Sequence, residues 1–206
     1  MEIWLLILLL APLVGVIINL LLSQFYQGRE AGFVASVACL AASLAAVIAF
    51  IDLMASPEPI RIMLAPWIVG LDIDVSWSFQ LDELSAWMAL VVTIVSTLVH
   101  IYAVEYMKGE ERFTTFFIYL NLFVGSMLLL ALADNFLVLF VGWELVGLCS
   151  YLLIGFWFDQ GGLGLGNARA GKKAFIANRI GDLGFLLALF LIFWHFGGFG
   201  FDQVLP

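Results

Sequence analysis

Apolar residues fall into six long runs: Ile3–Leu22, Gly32–Ile51, Leu84–Val104, Phe113–Ala133, Phe136–Phe158 and Ala174–Phe196. Each can cross ~30 Å of hydrocarbon at ~1.5 Å per residue. Helices are the expected form, because lipid offers no partner to open backbone groups. QGRE joins the first two runs and MKGEER the third and fourth. Only Asp134 and Asn135 separate the fourth from the fifth. DQGGLGLGNARAGKK joins the fifth and sixth, and its glycines predict a flexible loop.

The period changes between the second and third runs. From Leu71 to Leu81 apolar and polar residues alternate strictly. Leu71, Ile73, Val75, Trp77, Phe79 and Leu81 face one way, and Asp72, Asp74, Ser76, Ser78 and Gln80 the other. That is a half-buried strand. Ile60–Leu64 supplies a partner, with Pro66 and Gly70 near the turn. The pattern therefore predicts an all-α polytopic membrane protein, one transmembrane domain over residues 1–206. A small extracytoplasmic β-hairpin, near residues 58–81, lies on the membrane surface between helices two and three.

Composition agrees. The chain has 206 residues, 64% hydrophobic and 12% charged, too apolar for a water-facing fold of this size. The net charge is −8 and no basic patch exists to hold phosphates, which argues against nucleic acid as a partner. Cys39 and Cys149 lie inside apolar runs without metal-ligand spacing and read as small buried side chains. No nucleotide, haem or iron–sulfur motif is present, so no cofactor or metal is expected in this chain. The first run has no basic segment before it and reads as a retained helix.

Orientation follows from the basic residues. Arg29, Lys108, Arg112, Arg169, Lys172 and Lys173 flank one set of connections, and Arg61 alone lies on the other side. The N-terminus, the hairpin and the C-terminus are expected outside, and the basic loops in the cytoplasm.

Charges inside the runs are the candidate chemistry. Glu144 is ninth of 23 residues in the fifth run, ~12 Å from its outer edge. Asp182 is ninth of 23 in the sixth, ~12 Å from its inner edge. If these helices pack antiparallel, both carboxylates lie near the midplane. A charge there costs at least ~2.5–3.5 kcal/mol, so such groups pair, face the bundle interior or change protonation. Arg179 and Asp182 are i,i+3 neighbours, with Asn178 one turn before Asp182. Glu144 has no partner in its own helix. It is either protonated or ionised beside a cation of another helix, and a carboxylate poised between these states handles protons. The plain alternative is that Arg179–Asp182 only fixes helix register.

Gly142, Gly147, Gly181 and Gly184 flank the two acids and suit close helix packing. His100, near the inner end of the third run beside Ser96 and Thr97, is a weaker relay candidate. An interfacial histidine satisfied by a neighbouring hydroxyl competes with that reading. His195 reads as structural. Asp82 and Glu83 read as helix-start residues. Trp4, Trp67, Trp77 and Trp194 fit an interfacial belt.

GWELVGLCSYLLIGFW (Gly142–Trp157), then NARAGKKAFIANRIGDLGF, with SFQLDELSAWM at the third run, resembles the antiporter-like membrane subunits of respiratory complex I. These are NADH–quinone oxidoreductase subunit L, or chain 5 in mitochondria. The usage of Ala, Val and Gly looks bacterial, which places the chain in an inner membrane. The resemblance implies a proton-translocating subunit without a redox centre, partnered by other membrane subunits. NADH, FMN, iron–sulfur clusters and quinone are then handled elsewhere in the complex. It implies that Glu144 is the family's key carboxylate, that Arg179 and Asp182 belong to the same charged set, and that a lysine on helix seven pairs with Glu144. Family members are several hundred residues longer, so this chain reads as an N-terminal portion. A multi-subunit cation/proton antiporter, sharing the same signatures, and a non-transporting membrane scaffold remain open at this stage.

Overall fold

The computed structural model describes residues 2–26, 29–56, 58–70 and 73–204. Its helices are α1 (Glu2–Leu22), α2 (Glu30–Ala55), α3 (Glu83–Tyr106), α4 (Phe113–Ala131), α5 (Phe136–Ile154), α6 (Gly161–Phe196) and the short α7 (Phe201–Val204). The strands are β1 (Ile60–Gly70) and β2 (Ile73–Leu81). Six of the helices are long and apolar enough to cross a membrane. The chain divides into two compact units, one of residues 1–59 and 82–128, the other of residues 60–81 and 129–206.

In the first unit α2 packs against both α1 and α3. Its buried stripe is Ala31, Ala35, Cys39, Ala42, Ala46, Ala49 and Leu53, spaced by three and four residues. Such small side chains let helix backbones approach where no hydrophobic effect drives them together. The buried stripe of α3 is unusual in carrying polar groups, Thr93, Thr97 and His100, among alanines. Their hydroxyls are satisfied locally: Thr93 Oγ1 donates to the Ala89 carbonyl at 2.7 Å, and Thr97 Oγ1 to the Thr93 carbonyl at 2.8 Å. Ser43 Oγ of α2 meets Thr97 Oγ1 at 2.8 Å. Asp82 caps α3 in a reciprocal box with Ser85, both bonds 2.8 Å, as its position suggested.

In the second unit the hairpin is antiparallel and runs from Ile60↔Leu81 to Gly70↔Ile73. β2 buries Val75, Phe79 and Leu81 and exposes Asp74, as the alternation predicts. Leu71 and Asp72, the start of that alternation, lie outside the described residues. β1 is longer than the sequence suggests. Pro66, expected near the turn, sits inside the strand between two bulges, where a missing N–H is tolerated. Trp67 and Trp77 pack with ring centroids 4.7 Å apart.

The segment between α4 and α5 holds the hairpin. Gln80 N donates to the Leu132 carbonyl at 2.8 Å, and Asp134 N to the Ser78 carbonyl at 3.2 Å. Asn135 has three tasks. Its Oδ1 caps α5 by accepting from Val138 N at 2.9 Å, and its Nδ2 donates to the Ser76 carbonyl and to Ser78 Oγ. Its backbone bridges Gly200. One short link thus ties the hairpin, the start of α5 and the chain after α6.

The expectation of a flexible loop before the sixth span is corrected. Residues 161–173 are the first turns of α6, which is 36 residues long, ~54 Å. Two of its glycines serve close contact. A Cβ on Gly164 would lie 2.3 Å from the Phe158 carbonyl, and one on Gly171 would lie 3.2 Å from that of Tyr151. Gly197, with φ 74°, ends the helix in the left-handed region that glycine favours.

Asp134 lines a polar recess of about 160 Å³ with Arg61, Asp74 and Asp202. Burial raises its carboxyl above the usual value. Arg61, 3.8 Å away, opposes this, Asp202 adds to it, and Ser78 opposes it. The folded protein therefore favours the neutral acid. That contribution is present below the unfolded value of 3.8 and is lost as pH rises through the folded one. Asp134→Asn should raise the thermal midpoint of the purified protein near pH 8, with the gain vanishing as pH falls to about 4. A gain that grows on acidification would contradict this balance.

Candidate functional site

α5 and α6 carry the three membrane charges, and the structure brings them together. The two helices pack against each other, antiparallel as the short link between them requires. Arg179 Nη1 of α6 donates to Glu144 Oε2 of α5. The same guanidinium reaches Asp182 one turn along its own helix, Nε to Oδ2 at 2.9 Å. That contact is an ion pair without hydrogen-bond alignment, and both atoms lack any other partner. Glu144, which has no partner in its own helix, thus lies beside a cation of another helix.

Asp182 is the buried member, its side chain 5% exposed, whereas those of Glu144 and Arg179 are 25% and 36% exposed. Its second oxygen, Oδ1, accepts from Trp143 Nε1 at 2.8 Å. The sequence reading gave Trp143 no role. The signal was there: an indole N–H in an apolar span must find an acceptor, and the nearest acids at its depth are few. Arg179 Cζ also lies 4.6 Å from the centroid of the Phe175 ring, a cation–π contact that supports its position.

Gly147 makes the room. A Cβ there would lie 3.2 Å from Asn178 Nδ2 and 3.6 Å from the Arg179 guanidinium. Gly142 serves another contact. A Cβ on it would meet the Leu130 backbone at 2.6 Å, so α5 lies close against the end of α4. Gly181 and Gly184 do not bear out the packing reading, since a Cβ on either meets nothing within 4 Å among the described residues.

With all three groups ionised the set carries one positive and two negative charges. One guanidinium cannot fully compensate two carboxylates in a medium of low dielectric. One negative charge of the set is then left over.

His100 belongs to the first unit, and the charged trio to the second. The hydroxyl partner expected for this histidine is corrected: it is fully buried, and Nδ1 donates to the Ser96 backbone carbonyl at 2.7 Å. His195 is exposed on the last turn of α6.

Similarity to known proteins can be set beside this geometry. Residues 67–117 match the family model described as NADH-Ubiquinone oxidoreductase (complex I), chain 5 N-terminus. Residues 133–205, which hold the trio, match NADH:quinone oxidoreductase/Mrp antiporter, TM. NADH-ubiquinone oxidoreductase chain 5 of Allomyces macrogynus is 45% identical over 71% of this chain and 22% of its own length. NADH-quinone oxidoreductase subunit L of Rickettsia typhi is 39% identical over 95% of this chain and 29% of its own. The chain thus spans under a third of the length of these relatives. A chain of the membrane-bound sulfane sulfur reductase, an archaeal respiratory membrane complex, superposes with TM-score 0.82 at 20% identity, covering 97% of this chain and 39% of that one. A chain of the Mrp complex from Dietzia sp. DQ12-45-1b gives 0.76 at 25% identity, covering 96% and 20%.

Trp143→Phe removes a donor from a buried carboxylate. It should cost about 1.5–3 kcal/mol of stability, read as a lowered thermal midpoint. Gly142→Ala should also destabilise, by about 1–3 kcal/mol, through the Leu130 backbone, while Gly181→Ala should not. Equal effects of the two glycine changes would refute the close approach of α4 and α5.

Proposed function

The chain belongs to the antiporter-like membrane subunits that include NADH:quinone oxidoreductase subunit L and chain 5, and from that premise we propose that it takes part in moving protons across the membrane within such an oxidoreductase. It is a multi-pass membrane protein. Relatives that are 35–45% identical are oxidoreductase subunits by name, which favours this complex over a cation/proton antiporter.

The observation that carries the reading is the arginine shared between two intramembrane acids. Protons enter from the cytoplasmic, basic side and reach Glu144 through water. Protonation of Glu144 releases Arg179 toward Asp182, and deprotonation draws it back. The cycle is driven from outside this chain, because it contains no redox group in this reading. NADH, FMN, iron–sulfur clusters and quinone belong to other subunits, and the lysine that completes the Glu144 relay lies on a further helix of the same membrane domain. The hairpin and N-terminus face the extracytoplasmic side of a bacterial inner membrane.

The test is Glu144→Gln in the assembled complex, reconstituted in vesicles. Proton translocation should slow by at least about tenfold with the complex still assembled. Translocation at the unmodified rate would remove Glu144 from the path. A change confined to assembly would support a scaffold role.

A further inference from the structure

A second polar feature lies apart in sequence from the trio, inside the first unit. His100 of α3 and Asn121 of α4 are both fully buried. The Asn121 amide faces the imidazole. Yet His100 Nε2, Asn121 Nδ2 and Asn121 Oδ1 all lack an aligned hydrogen-bond partner. Three such atoms meeting in one apolar bundle is not how a purely structural core is built, since buried polar groups are otherwise paired.

We propose that His100 and Asn121 form a second protonatable station, which takes up and releases one proton at Nε2 of the imidazole. The tautomer follows from geometry. A carbonyl only accepts, so Nδ1 carries the hydrogen that it gives to Ser96. Nε2 is then the lone pair left open in the neutral ring. Asn121 can serve both states of that nitrogen. A small shift would let Nδ2 donate to the neutral ring, and rotation of the amide by half a turn would bring Oδ1 to accept from the imidazolium. Gly15 of α1 makes this position available, since a Cβ there would lie 2.3 Å from Asn121 Nδ2.

A path adjoins the station. Thr93, Thr97 and His100 lie on one face of α3, spanning ~10 Å along the helix. Ser43 of α2 joins them through Thr97, and hydroxyls pass protons by exchanging donor and acceptor roles. Among the described residues, the groups in contact with the station are uncharged: Ser96 on α3, the Phe117 ring on α4 and Gly15 on α1, with Ser43 of α2 reached through Thr97. The Arg29–Glu105 ion pair lies more than a turn beyond, at the exposed end of α3. The proton is delivered by hydronium, which leaves as water, and is passed on to a water or hydroxyl acceptor. This inference rests on the proton-moving function above, but not on Glu144.

Deuterium exchange at the histidine Cε1–H, read by mass spectrometry on the intact unmodified complex, tests it directly. That exchange passes through the imidazolium, so it requires the ring to be protonated within reach of solvent. His100 should exchange with a sigmoidal pH dependence between about pH 5 and 9. A His100 that stays unexchanged while the exposed His195 titrates overturns the proposal. The second arm is Asn121→Leu, which should slow proton translocation by about tenfold and alter its pH profile. Translocation and pH profile both unchanged in that variant also overturn it. Failure of Glu144→Gln to act would sink the trio and leave this station standing, and the reverse holds as well.

Discussion

An arginine held between two carboxylates sets the terms for the second unit. Each charge would be intolerable alone in a hydrocarbon layer. Together they are tolerated, because the guanidinium is shared between both acids. The neighbouring features read as support for that compromise. Gly147 leaves space for the guanidinium, Phe175 offers it a ring face, and Trp143 satisfies the acid most removed from solvent. Breaking a buried pair costs far more than the pair contributes, because the abandoned charge remains. Helix register in α5 and α6 is consequently fixed by charge as much as by packing.

The first unit solves the same solvent problem by other means. Its α2 stripe is nearly all alanine, its hydroxyls bond back to their own helices, and the described ion pairs Arg29–Glu105 and Lys108–Glu105 sit at an exposed end. Polarity there is neutral and directional. In the second unit it is ionic. A proton crossing neutral groups needs rotation of hydroxyls and amides, whereas one bound among charges needs a side chain to change partners.

Much of this was legible in the chain. Six runs gave six helices, the alternation around Val75 and Phe79 gave a strand, and depth counting put Glu144 and Asp182 level with each other before any contact was known. The glycine-rich segment misled, because a glycine's cost in a helix is read as a loop signal, while Gly164 and Gly171 are there to let backbones touch. Asn121 went unnoticed for a similar reason. An amide midway along an apolar run is a signal by itself, but its meaning depends on Gly15 and His100, which are far from it in sequence. Local patterns show up in a sequence, and meetings between distant residues do not, unless a cost such as a buried charge demands a partner.

The seating of the hairpin has a consequence for biosynthesis. β1 and β2 leave the ribosome well before the segment that receives them. Residues 132–135 must follow, and the bridge to Gly200 completes the joint last. About 120 residues separate Leu81 from Phe201, which at ~5–20 residues per second is a wait of roughly 6–24 s. The outer edge of β2 gains its neighbour when residues 132–135 emerge, but the joint stays open for the whole interval, in which the four helices α3 to α6 must be inserted. The joint around Asn135 is thus a late closure, one that certifies that the last two long helices have entered in the right order.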